Sequence, residues 1–175
     1  MQAGKILLGV GLLLGSAGAA VAQQQAPKPA GAPFSRANII LAYTSAPPDS
    51  VLTRLRQHVA SRGFIIDSLD ASRGLLTTKV VVPAQRPEEQ LKLRAVRVAG
   101  GWKLTGLFTL EGPGRGNATA FPAQFLGLEN APAKTAFRQV EALARAVPQA
   151  TLRYDRGKVN FSAFTQLEEA LKAVW

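Results

Sequence analysis

The chain has 175 residues, a net charge of +10 and no cysteine. Without thiols there is no disulfide, no cysteine nucleophile and no lipid-modified cysteine, and a single histidine cannot supply the three or four ligands of a common zinc site. What is left is a basic chain that must stabilise itself by burial, and about 150 residues suffice for one core.

The opening segment, "MQAGKILLGVGLLLGSAGAAVA", has the layout of a secretory signal peptide. Lys5 is the positive end, Ile6 to Leu14 the apolar centre, and Ala20-Val21-Ala22 the small-residue cleavage site. The apolar run is shorter than the roughly 20 residues of a spanning helix. We therefore expect removal of residues 1–22, no transmembrane segment afterwards, and an exported product, periplasmic or extracellular. Residues 23–35, rich in Gln, Pro and Ala, read as a flexible leader. Residues 36–175 read as one domain.

The domain opens with a strand at Ala37 to Thr44, stopped by Pro47 and Pro48. "DSVLTRLRQHVASRG" follows as a helix, with Asp49 or Ser50 as cap and Gly63 as stop. Val51, Leu52, Leu55 and Val59 form its apolar stripe. A hairpin comes next. Phe64 to Ile66 begin one strand, Ser72-Arg73-Gly74 turn, and Leu75 to Val82 return to Pro83. It gives the helix stripe a sheet to pack on.

A second hairpin joins "QLKLRAVRV" to "GWKLTGLFTLE". Trp102, Leu104, Phe108 and Leu110 alternate with polar residues. Leu91 and Leu93 are out of phase with Val96 and Val98. One bulge at Ala95–Val96 would bring all the large apolar residues to one face. That register pairs Val98 with Trp102 and Val96 with Leu104. It collects Lys92, Arg94, Arg97 and Lys103 on the other face, with Arg97 opposite Lys103.

Glu111 to Gly127 reads as a long Gly/Pro-punctuated loop, either a mobile connection or a contact loop that exposes Phe121 and Phe125 to a partner. A strong helix follows, with Asn130 as cap and Pro132 in the first turn. Ala136, Phe137, Val140, Leu143, Ala144 and Val147 make its apolar face, and Pro148 ends it. A short strand at Thr151 to Tyr154 precedes a last helix from about Ala163, capped by Ser162. The order predicts an α+β domain: an antiparallel sheet of four to five strands, an N-terminal packing helix and two C-terminal helices, all on one face.

The catalytic inventory is short. His58 lies beside the apolar stripe of the first helix, where a partly packed ring explains it. No "GxSxG" elbow supplies a serine. Asp67 and Asp70 could flank a bond as paired carboxylates, but they also suit strand ends and turns. "GPGRGNA", Gly112 to Ala118, lacks the GK[ST] ending of a phosphate loop. We expect no enzyme, no metal and no cofactor. The cationic face is the sharper feature. It is either simply solvated or a docking surface for an anionic envelope component or an acidic protein. Nucleic acid fits less well, since no aromatic platform interleaves with the cations.

"NIILAY" and "DSVLTRLRQHVASRGFIIDSLDASRGLLTTK" together resemble the strand–helix–hairpin start of helix-grip envelope domains, including the BamC-like lipoproteins of the outer-membrane assembly machinery. The shared features are the strand, the amphipathic helix, "GF.I", the Asp-bearing turn and "GLLTT". Helix followed by antiparallel strands is also similar to cystatin and NTF2-like folds. Those lipoproteins are anchored through a cysteine that this chain lacks. The resemblance implies a binding or scaffolding domain and assigns no residue a role. The resulting expectation is an exported bacterial cell-envelope binding or scaffolding domain. The alternatives are a small apolar-ligand carrier, with Phe64, Leu104 and Phe108 lining a helix–sheet pocket, and an enzyme using Asp67, Asp70 or His58.

Overall fold

In the computed structural model, residues 31–80, 89–111, 118–159, 165 and 167–172 are described. Residues 1–30, where the signal peptide and most of the leader are expected, residues 112–117 and the expected cap Ser162 lie outside them. The elements in chain order are β1 (Ile39–Tyr43), α1 (Pro48–Ser61), β2 (Ile66–Asp70), β3 (Leu75–Thr78), β4 (Glu89–Val98), β5 (Gly101–Glu111), β6 (Ala118–Pro122), α2 (Pro132–Arg145), β7 (Thr151–Asp155) and α3 (Leu167–Lys172).

All seven strands join one antiparallel sheet in the order β2-β3-β4-β5-β1-β7, with β6 also on β5. The α+β class holds, but the sheet exceeds four to five strands. Six strands fall where strands were expected and all of them join the sheet, and the seventh, β6, lies inside the stretch expected to be a loop. β5 has 11 residues, and β1 pairs only its first half, Gly101 to Leu104. The second half would leave ladder groups open, and β6 pairs there from Leu107 to Glu111. β1 and β6 thus share one edge of β5, end to end.

Both main helices open on proline, which presets φ and needs no donor. Pro47 precedes α1 and Ala131 precedes α2, and neither makes a side-chain cap bond, so Asp49, Ser50 and Asn130 are not the N-caps. α1 ends where expected. The Gly63 N–H donates to the Ala60 carbonyl at 3.0 Å, and the Phe64 N–H to that of Val59 at 2.9 Å.

One sheet face carries the core. Ile40, Ala42, Leu76, Leu91, Leu93, Ala95, Trp102, Leu104, Phe108 and Leu152 meet Val51, Leu55 and Val59 of α1 and Phe137, Val140, Leu143 and Ala144 of α2. α1 lies over β2 and β3, and α2 over β1, β4 and β5. α2 comes close because position 106 is glycine. A Cβ there would stand 2.6 Å from Val140 Cγ2 and 2.9 Å from Ala123 Cβ. Thr78, fully buried, continues the ladder beyond the last β3–β4 pair, as its hydroxyl accepts the Leu93 N–H at 2.9 Å.

The helices do not all lie on one face. α3 packs against β6, where Ala170 and Leu171 meet Leu107 and Ala120. Leu107 alternates with Gly106 and Phe108, so this smaller cluster is on the face opposite α1 and α2.

Candidate binding surface

The β4–β5 ladder is uninterrupted from Glu89↔Leu110 to Val98↔Gly101, closed by a two-residue turn at 99–100. Leu91 pairs with Phe108 and Leu93 with Gly106. The bulge is absent, so beyond Ala95 every partner shifts by one. Ala95 faces Leu104, Val96 faces Lys103, and Arg97 faces Trp102. Trp102 is in the core, so Arg97 leaves the expected cationic face, and its opposition to Lys103 does not occur.

The face opposite α1 and α2 is therefore mixed rather than basic. Register carries one row across five strands: Arg153, Leu41, Lys103, Val96 and Leu75. A neighbouring row holds Tyr43 and Val98 on either side of Gly101. Leu41, Tyr43, Val96, Val98 and Lys103 are half-buried, and Arg153 is exposed. Among the described residues no ion pair involves Lys103 or Arg153. Lys92 is different: its Nζ is 3.0 Å from Asp67 Oδ2, which holds Asp67 below the usual carboxylate range. Arg94 is partly desolvated, and that burial lowers its pKa.

The remaining candidates settle into packing. Phe121 stacks on Phe108, with centroids 5.4 Å apart, and packs against the core. Phe125 meets Phe137 edge-on at 5.8 Å, with Lys134 Nζ 4.5 Å above its ring and Arg138 also over it. Neither is the exposed contact residue that the loop reading expected. Leu104 and Phe108 are core residues, and Phe64 is partly buried against the same core cluster.

His58 is half-buried. Desolvation, and then the Arg62 charge, push its pKa down. It lines a groove of about 530 Å³ with Arg54, Gln57, Ser61 and Arg145, and no carboxylate is among the described residues lining it. Asp70 Oδ1 accepts Ser72 Oγ at 2.7 Å and the Arg73 N–H at 3.0 Å, so it closes the β2–β3 turn. Asp67 and Asp70 each have local partners, and no group of three potential metal ligands occurs among the described residues.

Sequence reasoning missed one polar centre. Glu141 is 5% exposed, within the apolar face of α2. Its carboxylate accepts Tyr154 Oη at 2.5 Å, Arg138 Nη1 at 2.8 Å and Arg145 Nη2 at 2.9 Å. Burial raises its pKa, but these hydrogen bonds outweigh burial and leave it below the ordinary value. Desolvation and the same carboxylate push Tyr154 up to about 12. The signal was available: Arg138 and Arg145 stand three positions before and four after this acid. The cluster ties α2 to β7. Its groups satisfy one another, which is the chemistry of a clamp rather than of a reacting site.

No known family model matches the chain, and no curated protein matches it significantly. No helix among the described residues is long and apolar enough to cross a membrane.

Proposed function

We propose that this chain is an exported binding or scaffolding domain of the bacterial cell envelope, and that it docks an anionic partner on the second face of its sheet. The observation that carries this reading is the row Arg153–Leu41–Lys103–Val96. Cations alternate there with half-buried aliphatic side chains, so charge and apolar contact are offered together. An anionic lipid surface or an acidic protein face would meet both. The cations next to Leu41 gain nothing from the core, and long basic stems can lie along apolar neighbours with the charge in water. Export rests on Lys5, the apolar centre and Ala20-Val21-Ala22. N-terminal sequencing of protein recovered from the native cell should begin at Gln23, and a start at Met1 would refute it.

The surface is tested by co-sedimentation with anionic vesicles and, separately, by binding to polyglutamate. The variant is Lys103→Glu/Arg153→Glu, since Arg97 lies elsewhere and Lys92 is paired. Wild type should bind at low salt and release as salt rises, because screening acts over about 8 Å at physiological ionic strength. The variant, with an unchanged thermal midpoint, should lose vesicle binding and hold polyglutamate more weakly than wild type. Equal binding by both proteins at low salt would sink the reading.

A further inference from the structure

Arg73 and Arg97 reach one groove from different turns. The groove holds about 630 Å³ at the end of the sheet where the β1–α1 connection, the β2–β3 turn and the β4–β5 turn meet. Thr44, Pro47 and Pro48 form a wall of it, and Trp102 and the two arginines also line it. The volume falls within the roughly 300–1,000 Å³ of small-ligand sites.

The arginines are brought together by backbone, not by chance proximity of flexible stems. The Arg97 N–H donates to the Gly74 carbonyl at 2.8 Å, which fixes the end of β4 against the β2–β3 turn. Gly74 is at φ +59, and a Cβ there would collide with Arg97 Cβ. Only glycine allows both the turn and the contact. Thr44 stiffens its wall, since its hydroxyl donates to the Pro148 carbonyl at 2.6 Å and accepts the Ala46 N–H at 3.1 Å.

Both guanidinium side chains are exposed, and neither has an ion pair among the described residues. The acid on this turn, Asp70, is engaged by Ser72 and the Arg73 N–H. Pro47 and Pro48 present no N–H, so an anion in the groove would be held by the two planar forks. Guanidinium geometry matches the paired oxygens of carboxylate and phosphate.

We propose that this groove binds an oxyanion, carboxylate or phosphate, carried on a ligand larger than the free ion. The site shares no cation with the Arg153–Lys103 row, so it stands or falls apart from the docking surface. The experiment is titration calorimetry at low salt with inorganic pyrophosphate and, in a second arm, a hexapeptide of glutamates. Wild type should show saturable binding in at least one arm. Arg73→Gln/Arg97→Gln should weaken it by about tenfold or more, the loss expected of charge-assisted hydrogen bonds. Arg36→Gln/Arg56→Gln, equally less charged and outside the groove, should stay within about twofold. Binding of pyrophosphate alone identifies a phosphate site, and binding of the peptide alone a site for acidic protein segments. No saturable binding in either arm, or equal weakening by both double variants, overturns the proposal. If the Arg97 variant fails to fold, Arg73→Gln alone, on an exposed turn, must still weaken binding more than the control.

Discussion

Under α1 and α2, the strands from β3 across to β7 bury apolar side chains on one face, from Leu76 to Leu152. The opposite face of the same strands alternates Leu41 with Lys103 and Arg153, and adds a small separate cluster around Leu107 and Ala120 beneath α3. Both faces come from one set of strands, because successive residues point opposite ways. The difference lies in what covers them. Two 14-residue helices seal one face, while among the described residues a six-residue helix packs on the other. The sealed face supplies stability. The mixed face is the one on which docking is proposed.

The largest test of that contrast is truncation. Phe137 is fully buried between α2 and the sheet, and Phe137→Ala should cost about 3–5 kcal/mol in urea unfolding. Leu55→Ala, fully buried under α1, should cost about 2–5 kcal/mol. Leu41→Ala, half-buried on the other face, should cost about 1 kcal/mol or less. Equal losses at Leu55 and Leu41 would mean that both faces are cores and would remove the basis for a docking surface.

A smaller effect probes the polar clamp at the edge of the sealed face. Glu141→Gln removes the charge that Arg138, Arg145 and Tyr154 address, and should cost about 1.5–3 kcal/mol near pH 7. The folded pKa of Glu141 lies below its ordinary 4.5. Its contribution is therefore fully present above the unfolded value and disappears as pH falls through the folded one. The stability gap between wild type and variant should narrow as unfolding is repeated from about pH 7 to about pH 3. A gap that stayed constant would show the clamp to be packing rather than charge.

The same contrast explains which parts of the molecule were legible in the sequence. α1 and α2 were readable because each has one apolar stripe and one sealed partner, and their buried apolar residues are the expected ones. The β4–β5 register failed at Val96 and Val98 because of an assumption that large aliphatic residues share one face. They do not, since the second face is itself partly apolar. Small Ala95 takes the inward place opposite Leu104, and Val96 lies beside Lys103. β6 was hidden for a different reason. "ATAFP" is short, it ends on a proline just after a Gly-rich run, and its strand character comes from the unpaired second half of β5. The length of β5 against that of β1 was the available clue. Arg153 could have been found from the alternation of β7. The placing of Arg73 and Arg97 at one groove could not, because it depends on β3 pairing β4 so that the β2–β3 turn meets the end of β4.

The finest test makes one substitution twice. Thr78 and Thr109 are both buried in strands, at 0% and 1% exposure, and point to opposite faces. Thr78 is on the sealed face, and its hydroxyl accepts the Leu93 N–H where the β3–β4 ladder has run out. Thr109 is on the second face, between Gln90 and Ala120, and its buried Oγ1 has no partner among the described residues. Valine keeps the β-branched shape and strand preference while exchanging the hydroxyl for a methyl. At position 78 this strands a buried N–H, so Thr78→Val should lower stability by about 1–3 kcal/mol. At position 109 it removes an uncompensated buried hydroxyl, so Thr109→Val should raise stability by about 0.5–1 kcal/mol. Urea midpoints of the two variants should move in opposite directions from wild type. If Thr109→Val instead destabilises, its hydroxyl has a partner in the folded protein, and the second face is as fully satisfied there as the sealed one.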